Sequence, residues 1–429
     1  SLVLEEFFVA HRQFLATSAA ALTAASYNRA ADAPNEKIRL AVMGVRSRGK
    51  QLINYLSKLD GYEITHLVEI DDHVVPDALK AVKQATPPKV EKDLRTVLQD
   101  KSVTALVVAA PDHWHALATV WGCQHDKHVY VEKPVSHDIA EGRVMVEAAR
   151  KYKRVVQAGT QRRSADHVLA AREYVASGKL GKVAFARAAI AGSRKPIGNV
   201  KDSEVPKGVD YDLWLGPAKA RAFNANHFHY NWHWFWEYGT GELGNNGIHG
   251  LDVARNVLQL DAPTRVTSAG GKYVFADDQE TPDTQLATFE FPGVTLAWEH
   301  RTWDRVAMEN ESFGVAIHGE KGTMFFGLKG WVVKAGKNNE EVIESHAHAK
   351  AMEVDHLQNF FDAIRGTKPA NAEIEEGHKS TRLCHLGNIA FRTGRAITFD
   401  AKTETIVGDA EANKLLGREY RTGFELPKI

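Results

Sequence analysis

The stretch Ile38-Arg39-Leu40-Ala41-Val42-Met43-Gly44-Val45-Arg46-Ser47-Arg48-Gly49 decides the fold, because it joins an apolar strand to a glycine turn that opens a helix. Gly44 and Gly49 occupy the first and third positions of the dinucleotide-binding fingerprint, and Arg46 occupies the second. The first glycine permits the tight turn, and the third lets helix and strand approach. Because the middle glycine normally clears room for a pyrophosphate, Arg46 must either point away or bind phosphate itself.

Short apolar runs alternate with helical segments after this turn, as in successive βαβ units of a parallel sheet. The run at 105–110 is apolar throughout, which is typical of a strand that is covered on both faces. We predict strands at 38–43, 62–68, 105–110, 129–131 and 155–158, and helices at 50–58, 116–123 and 139–152. The fold class is therefore α/β, with a doubly wound Rossmann domain over residues 37–158.

Residues 159–429 contain longer aromatic and β-branched runs, separated by turn signals such as Pro292-Gly293. This pattern is typical of an antiparallel meander. We predict a second, α+β domain with a large, open, mainly antiparallel sheet that could face a ligand or another subunit. Two helices, at 246–258 and 356–364, are expected to pack on this sheet.

Composition restricts the class of partner. The chain has 429 residues, with 54 basic and 54 acidic side chains, so no net field favours nucleic acid or an anionic membrane. Two cysteines, Cys123 and Cys384, form no disulfide framework and match no metal spacing. We expect a small-molecule partner, with neither nucleic acid nor membrane.

Residues 1–36 differ from the rest of the chain. Arg12-Gln13-Phe14-Leu15 leads into an alanine-rich run, which resembles a twin-arginine export signal. The signal is degenerate, because His11 stands at the first arginine position and the run is too short to span a bilayer. We predict an export signal or an ordered N-terminal arm. The protein would be periplasmic or exported if the signal functions, and cytoplasmic otherwise.

An acidic residue follows the second predicted strand at the distance that a dinucleotide site requires. Glu69 lies twenty residues after Gly49, where a carboxylate accepts hydrogen bonds from the adenosine ribose, and Asp71 is the near alternative. Such a carboxylate repels a 2'-phosphate, so NAD is favoured over NADP. Arg46 and Arg48 weaken that preference, because either could neutralise the additional phosphate.

A lysine stands at the end of another apolar strand, in Val129-Tyr130-Val131-Glu132-Lys133-Pro134. Its ammonium would lie at the carboxyl edge of the parallel sheet, where open α/β sheets bind cofactor and substrate. Without Glu132 and Pro134 beside it, Lys133 would be interpreted as a surface lysine after a strand.

Together, these motifs resemble the family of glucose-fructose oxidoreductase, inositol dehydrogenase and rhizopine-catabolism proteins (Gfo/Idh/MocA). The resemblance covers 38–429 and rests on the glycine turn, Ala110-Pro111-Asp112-His113-Trp114-His115, Glu132-Lys133-Pro134 and Gly241-Glu242-Leu243-Gly244-Asn245-Asn246-Gly247-Ile248-His249-Gly250-Leu251-Asp252. It implies a tightly held nicotinamide cofactor between the domains, sugar or cyclitol substrates, and homodimers or homotetramers formed through the C-terminal sheet. The last segment, with Asn231-Trp232-His233-Trp234-Phe235-Trp236 before it, is similar to an exported subgroup of planctomycete-like and Bacteroidetes-like bacteria.

The resemblance implies a catalytic lysine at Lys133 and a catalytic histidine at His249. Where many members have an aspartate four residues before that histidine, this chain has Asn245, which can orient a hydroxyl group but cannot take a proton. His249 is the better general base by its ordinary pKa, so we assign it to proton transfer and Lys133 to polarising the substrate oxygen. The order of the two remains open, and a core histidine is the alternative for His249.

Further residues complete the predicted site. His113 is expected to line the nicotinamide pocket or its ribose. Gln161, with Arg162 and Arg163, is expected to contact nicotinamide or substrate, and a solvated charge pair is the alternative for the two arginines. Of the aromatic residues at 232–238, at most two are expected to contact a sugar. The predicted cofactor contacts are Gly44, Arg46, Ser47, Arg48, Gly49, Glu69, Asp71, Ala110, Pro111, Asp112, His115, Glu132, Lys133 and Gln161. The predicted substrate contacts are Arg163, Trp234, Trp236, Tyr238, His249 and Asp252.

A metal site is the alternative interpretation of His227, His229 and His233, but no cysteine or clear carboxylate completes the set. We therefore predict no metal. The predicted function is nicotinamide-dependent hydride transfer at a sugar or polyol carbinol. The alternatives are a redox-neutral glycosidase or lyase that works through a transient 3-keto sugar, and a non-catalytic sugar-binding protein.

Overall fold

The computed structural model describes residues 37–348 and 351–429, which belong to one compact unit that begins at Lys37. The predicted export signal or arm at 1–36 lies outside the described residues. Within the described part of the chain, no helix is both long enough and apolar enough to cross a membrane.

The strands between residues 38 and 158 form a six-stranded parallel sheet in the order β3-β2-β1-β4-β5-β6. The order reverses between β1 and β4, so a crevice opens at the carboxyl ends of these two strands. The predicted doubly wound fold is confirmed. The strands are β1 (Ile38–Met43), β2 (Tyr62–Val68), β3 (Lys89–Glu91), β4 (Ala105–Val108), β5 (His128–Val131) and β6 (Val156–Ala158). The helices are α1 (Arg48–Leu56), α2 (Val75–Ala81), α3 (Leu94–Leu98), α4 (Asp112–Gln124) and α5 (Ile139–Lys151).

The second sheet has ten strands in the order β14-β13-β12-β11-β7-β10-β9-β8-β15-β16, and only the β7–β10 pair is parallel. The strands are β7 (Val183–Ala191), β8 (Arg265–Gly271), β9 (Thr284–Phe291), β10 (Val294–Arg301), β11 (Phe313–Gly319), β12 (Gly322–Gly327), β13 (Gly330–Ala335), β14 (Glu341–Ala347), β15 (Ile397–Asp400) and β16 (Thr405–Ile406). The predicted large, mainly antiparallel sheet is confirmed.

Helices cover one face of this sheet and form the larger core with it. Strand residues such as Phe289 and Trp298 are fully buried there against Leu251 and Leu386. The helices after β6 are α6 (Asp166–Ala176), α7 (Tyr211–Leu215), α8 (Ile248–Leu258), α9 (Met352–Ile364), α10 (Ile374–Thr393) and α11 (Ala410–Asn413).

The helix predicted at 356–364 does not pack on the second sheet, and that prediction is wrong. Helix α9 packs on the first sheet, where Phe360 and Phe361 share a core with Leu40 and Leu52. Its apolar residues recur at helical spacing, which shows that one face is buried but does not identify the element that buries it. Because α9 returns to the first sheet, the domain boundary at residue 158 stays a prediction.

Candidate active site

The glycine turn between β1 and α1 has no room for side chains at its two glycines. Gly44 has a φ of +80°, and a Cβ there would lie 2.7 Å from the Ala109 carbonyl oxygen. A Cβ on Gly49 would lie 2.0 Å from the carbonyl oxygen of Gly44. Both positions therefore require glycine, and the turn lines the cleft at the amino end of α1, where a bound pyrophosphate would lie. Ser47 is exposed beside it and forms no side-chain cap.

The two arginines of the turn have different surroundings. Arg46 is exposed at the mouth of the cleft and makes no ion pair with any described residue. Arg48 donates through Nε to Glu132 Oε1 at 2.7 Å and through Nη2 to Glu353 Oε2 at 2.9 Å. Burial lowers the pKa of Arg48, but the two carboxylates more than compensate and hold it above its ordinary value. Arg48 lines the cleft, with its guanidinium held by these two carboxylates, and its contact with cofactor stays a prediction.

The two candidate acceptors for the adenosine ribose, Glu69 and Asp71, face in different directions. Glu69 lines the cleft, and its carboxylate accepts from the backbone amides of Val45 (2.9 Å), Ile70 (2.9 Å) and Asp71 (3.2 Å). A carboxylate has about four acceptor positions, so capacity for a ribose hydroxyl remains. Asp71 is turned away and binds His73 and His229, with 2.9 Å to His229 Nε2. Glu69 is therefore the acceptor that faces the cleft, and Asp71 is not.

The loop after β4 forms the next part of the cleft wall. Ala110, Pro111, Asp112 and His115 all line the cleft. His115 is buried, and its ring nitrogens lie 2.6 Å from the Pro134 carbonyl oxygen and 2.9 Å from that of Ala110. This imidazole therefore ties the turn that follows Lys133 to the turn that follows β4. The predicted cofactor residues Glu132 and Lys133 also line the cleft, whereas Gln161 does not and donates to Glu353 Oε1 at 3.0 Å.

Lys133 is held in the cleft by both oxygens of Asn245. Its Nζ donates to the Asn245 backbone oxygen at 2.6 Å and to Oδ1 at 3.2 Å. Asn245 lies in a π-helical turn, Leu243–Gly247, directly before α8. Such turns are local irregularities that are frequent at functional sites. A backbone carbonyl as a partner of the lysine carries no sequence signal, so this contact could not be predicted.

Asp112 is buried on the other side of Lys133. Its Oδ2 accepts from Thr240 Oγ1 at 3.0 Å, and a Cβ on Gly244 would lie 1.8 Å from that hydroxyl oxygen. Burial raises the pKa of Asp112 to about 8, although the charge of Lys133 opposes the shift. Burial lowers the pKa of Lys133, and the charges of Glu132 and Asp112 oppose that change. The charge of each group thus opposes the pKa shift that burial causes in the other.

His249 lies one turn beyond Asn245 and is half-buried. Burial lowers its pKa well below the ordinary value, and the charges of Lys133 and Arg162 add to this effect. The imidazole is therefore neutral and lies near both cations. Its Nδ1 is buried and has no hydrogen-bond partner among the described residues. Arg162, not Arg163, is the arginine beside His249.

Two of the predicted substrate contacts bind each other instead. Arg163 Nε donates to Asp252 Oδ1 at 2.8 Å, and both side chains are buried. The pair fastens α8 to the 3₁₀ turn Gln161–Ser164, away from the cleft. Successive side chains of such a turn diverge, so neighbouring arginines meet different surroundings. The predictions for Arg163 and Asp252 as substrate contacts are therefore corrected.

The aromatic residues that were predicted to contact substrate do not line the cleft, and other aromatic residues do. Trp234 and Tyr238 are buried, with 3% and 0% of their surface exposed, and pack in an aromatic core with Trp214 and Phe228. Trp236 lies against Arg392, whose guanidinium carbon is 5.1 Å from the ring centroid. Neither these three residues nor His249 belongs to the lining of the cleft. The aromatic rings that line it are those of Trp114, Trp214, Tyr230 and Trp232, together with the imidazoles of His115, His229 and His233.

The 3₁₀ turn Asn231–Trp234 explains why different aromatic residues reach the cleft than predicted. It directs Trp232 and His233 toward the cleft and Trp234 into the core. Trp232 could have been predicted as a cleft residue, because it belongs to the aromatic run at 232–238. No feature of the sequence identified Trp214 or Tyr230 as cleft residues. His227, His229 and His233 contact different partners. His227 packs on Phe235, His229 binds Asp71, and His233 stacks on Trp232.

These residues fit a dinucleotide. The turn at Gly44 and Gly49 admits close approach, Arg46 leaves the turn open, and Glu69 retains acceptor capacity toward the cleft.

Models of two protein families match the chain. Residues 38–160 match "Oxidoreductase family, NAD-binding Rossmann fold", and residues 195–426 match "Oxidoreductase family, C-terminal alpha/beta domain". The second match alone covers more than half of the chain.

Individual relatives are more distant and match in part. An uncharacterized oxidoreductase of Streptococcus pneumoniae is 28% identical over 152 residues, which is 35% of this chain and 40% of the relative. Inositol 2-dehydrogenase of Leifsonia xyli is 30% identical over 154 residues, 35% of this chain and 44% of the relative. The matched region thus spans less than half the length of these curated relatives.

A solved structure is similar over most of the chain. The WlbA dehydrogenase from Bordetella pertussis, solved in complex with NADH and UDP-GlcNAcA, superimposes with a TM-score of 0.65 at 19% identity. The match covers 85% of this chain and 99% of that structure, and it shows a shared fold. With the two family matches and the motifs on both sides of the cleft, the chain belongs to the Gfo/Idh/MocA oxidoreductase family.

Proposed function

We propose that this protein is a nicotinamide-dependent oxidoreductase that transfers hydride between a secondary carbinol of a sugar or polyol and NAD. The observation that carries the proposal is the Lys133 ammonium, which Asn245 fixes at the carboxyl edge of the parallel sheet. The relatives support the substrate class, since one is named inositol 2-dehydrogenase and another was solved with NADH and a nucleotide sugar.

The cofactor would be held by the first half of the cleft. The backbone of the turn from Gly44 to Gly49 would bind the pyrophosphate, Glu69 the adenosine ribose, and the loop at Ala110 and Pro111 would form the adjoining wall. When bound, the nicotinamide ring supplies a hydride acceptor or donor at carbon. Glu69 favours NAD, because its carboxylate repels a 2'-phosphate. Arg46, without an ion-pair partner among the described residues, keeps NADP as the alternative.

Lys133 would orient and polarise the reacting oxygen. An ammonium group has three N–H donors, and Asn245 accepts two of them. The third is available to a substrate oxygen, so the direction of that hydrogen bond is set before substrate arrives. Fixed donors of this kind stabilise the charge that develops on an alkoxide.

Asp112 would supply the titratable carboxyl that Asn245 cannot. Its pKa, raised to about 8 by burial, lies close to neutral pH, and Lys133 is its charged neighbour. When ionised, Asp112 would stabilise the protonated form of Lys133 and so keep it a hydrogen-bond donor to the substrate oxygen. The assignment of direct proton transfer to His249 stays a prediction. The structure supports His249 as a neutral group beside Lys133.

Tight binding of the cofactor is part of the proposal. We define the covering segment as residues 205–233, which reach over the adenosine end of the cleft. Asp210 N donates to the Ile70 carbonyl oxygen at 2.9 Å, and Lys92 Nζ donates to that of Gly208 at 3.0 Å. The His229–Asp71 contact closes the segment at its other end. We expect these contacts to slow the release of bound nucleotide.

We also propose that the protein forms homodimers or homotetramers through its ten-stranded sheet. The face without helices exposes Phe185 and Leu286, with 38% and 49% of their surface accessible, beside polar residues. The mass in solution, measured by light scattering, tests this. Export through residues 1–36 remains a proposal that N-terminal sequencing of the native protein would decide.

The function is tested by denaturing the purified protein, identifying any released nucleotide, and monitoring a panel of sugars and polyols at 340 nm. We expect bound NAD and reduction by at least one member of the panel, and no reduction by Lys133→Ala. Cleavage of a glycoside without net change at 340 nm would instead support the redox-neutral alternative. Sugar binding that survives Lys133→Ala, with no hydride signal in either protein, would support a binding protein.

A further inference from the structure

A second imidazole lines the cleft beside Lys133, and no motif assigns it a role. His233 belongs to the 3₁₀ turn Asn231–Trp234 and shares the lining of the cleft with Lys133 and Asn245. The two side chains therefore face the same cleft, and the charge of Lys133 contributes to lowering the pKa of His233.

The proton of this imidazole is fixed by the backbone. His233 Nδ1 lies 2.5 Å from the carbonyl oxygen of Tyr230. A carbonyl oxygen can only accept, so Nδ1 carries the proton, and in the neutral ring Nε2 is an acceptor. Burial lowers the pKa of His233 to about 3, although the bond to Tyr230 opposes the shift. The ring is therefore neutral at every pH at which the protein would work.

Packing fixes the orientation of the ring as well as its proton. The imidazole stacks on Trp232, with centroids 3.6 Å apart and planes inclined by 17°. A Cβ on Gly239 would lie 2.7 Å from the Cα of His233, so the chain behind the ring is closely packed. Nε2 has no hydrogen-bond partner among the described residues, although it belongs to a side chain of the cleft.

The third N–H of Lys133 and Nε2 of His233 thus give the cleft a donor and an acceptor that no described residue uses. A single carbinol under reaction uses the donor. We propose that His233 is a specificity-determining residue that accepts a hydrogen bond from a second substrate hydroxyl, so that the protein selects polyols whose reacting carbinol has a hydroxyl neighbour. This inference rests on the proposed function, because it takes the reacting carbinol to lie at Lys133.

Two substitutions distinguish the roles of the two ring nitrogens of His233. In His233→Asn, the side-chain amide can still donate to the Tyr230 carbonyl oxygen, but it offers nothing at the position of Nε2. In His233→Gln, the longer side chain brings an amide oxygen, which is an acceptor, toward that position. Far-UV circular dichroism and the melting temperature, measured in parallel, verify that both variants are folded.

The test measures dissociation constants by quenching of tryptophan fluorescence, with Trp214 and Trp232 in the cleft as reporters. The probes are D-glucose, 2-deoxy-D-glucose, 3-deoxy-D-glucose, myo-inositol and its monodeoxy derivatives, each added to the protein saturated with NAD. We expect the wild type to bind at least one parent about fivefold or more tightly than one of its deoxy analogues, as for the loss of one hydrogen bond. His233→Asn should abolish that ratio, and His233→Gln should restore part of it.

An equal parent-to-deoxy ratio in the wild type and His233→Asn would overturn the inference, and so would the absence of binding by every probe. The result is separable from the proposed function. If the ratio depends on His233 but no probe changes the absorbance at 340 nm, hydride transfer fails and the role of His233 stands.

Discussion

The two walls of the cleft position their functional groups by different means. The Rossmann wall consists of the ends of β1, β4 and β5, and it uses the backbone: a turn without side chains at Gly44 and Gly49, and Lys133 directly after a strand. The aromatic wall, residues 225–245, contains only short 3₁₀ and π turns. It positions Trp232 and His233 by packing, over a core that includes Trp234. A substitution in the Rossmann wall should therefore alter chemistry, whereas one beneath the aromatic wall should alter stability and shape.

The largest expected effect is on the Rossmann wall. Lys133→Ala removes the donor to the substrate oxygen and should lower kcat by about a thousandfold, in the range found for single groups that act on developing charge. Because Asn245 loses only a solvent-accessible partner, the melting temperature should change little. Steady-state assays and calorimetry on the same sample measure both quantities. A folded Lys133→Ala protein with near-normal kcat would remove the basis for assigning chemistry to this wall.

The aromatic wall is tested by two tryptophans that are two residues apart. Trp234→Ala should reduce the free energy of unfolding by about 3–5 kcal/mol, because the ring is buried and lies under Arg194, 4.6 Å from its centroid. Trp232→Ala is the matched control and should cost about 1 kcal/mol or less, while it weakens sugar binding. Urea denaturation measures the first quantity. Equal losses of stability in both variants would contradict the division between core and cleft.

The pH profile sharpens the account of the Rossmann wall. Lys133 must be protonated to donate, so kcat/KM should fall as the pH rises through its pKa. Burial lowers that pKa, and the negative charge of ionised Asp112 opposes the decrease. Asp112→Asn removes the opposing charge, so the alkaline limb should move to lower pH by about one unit. An alkaline limb that stays in place would show that Asp112 does not act on Lys133.

The smallest expected effect concerns the contact that joins the two walls. His229→Ala breaks the bond to Asp71, and release of nucleotide should accelerate by about tenfold, as for the loss of a hydrogen bond to a charged group. Stopped-flow displacement of NADH by excess NAD measures the rate. His73→Ala, which removes a more exposed partner of the same carboxylate, should have a smaller effect. If neither variant changes the rate, the covering segment does not retain the cofactor.

The same contrast explains how much could be predicted from sequence. The strands of the first sheet, the glycine turn and Lys133 follow local rules, in which spacing along the chain determines position. The mainly antiparallel character of the second sheet could also be predicted, because β-branched runs separated by turns indicate an antiparallel meander. Asn245 and His249 were identified through the family motif, and the structure brings both near Lys133.

Errors occurred where position depends on tertiary packing. The apolar face of α9 could have packed on either sheet. The local sequence also does not show which of Arg162 and Arg163, or which of Trp232 and Trp234, faces the site. Short 3₁₀ turns give neighbouring residues opposite surroundings, so the aromatic wall could be predicted as a region but not residue by residue. Tyr230 and Trp214 come from separate segments, and only the folded chain brings them to the cleft.

The most direct test of the central claim follows a deuteron from substrate to cofactor. The NAD-saturated protein is mixed with D-glucose and myo-inositol that carry deuterium at every carbinol carbon, and the nucleotide is then examined by proton NMR. The account predicts one deuteron at C4 of the nicotinamide ring, on a single face, and none with Lys133→Ala. NAD that remains unlabelled while the wild-type protein consumes the carbohydrate would contradict it.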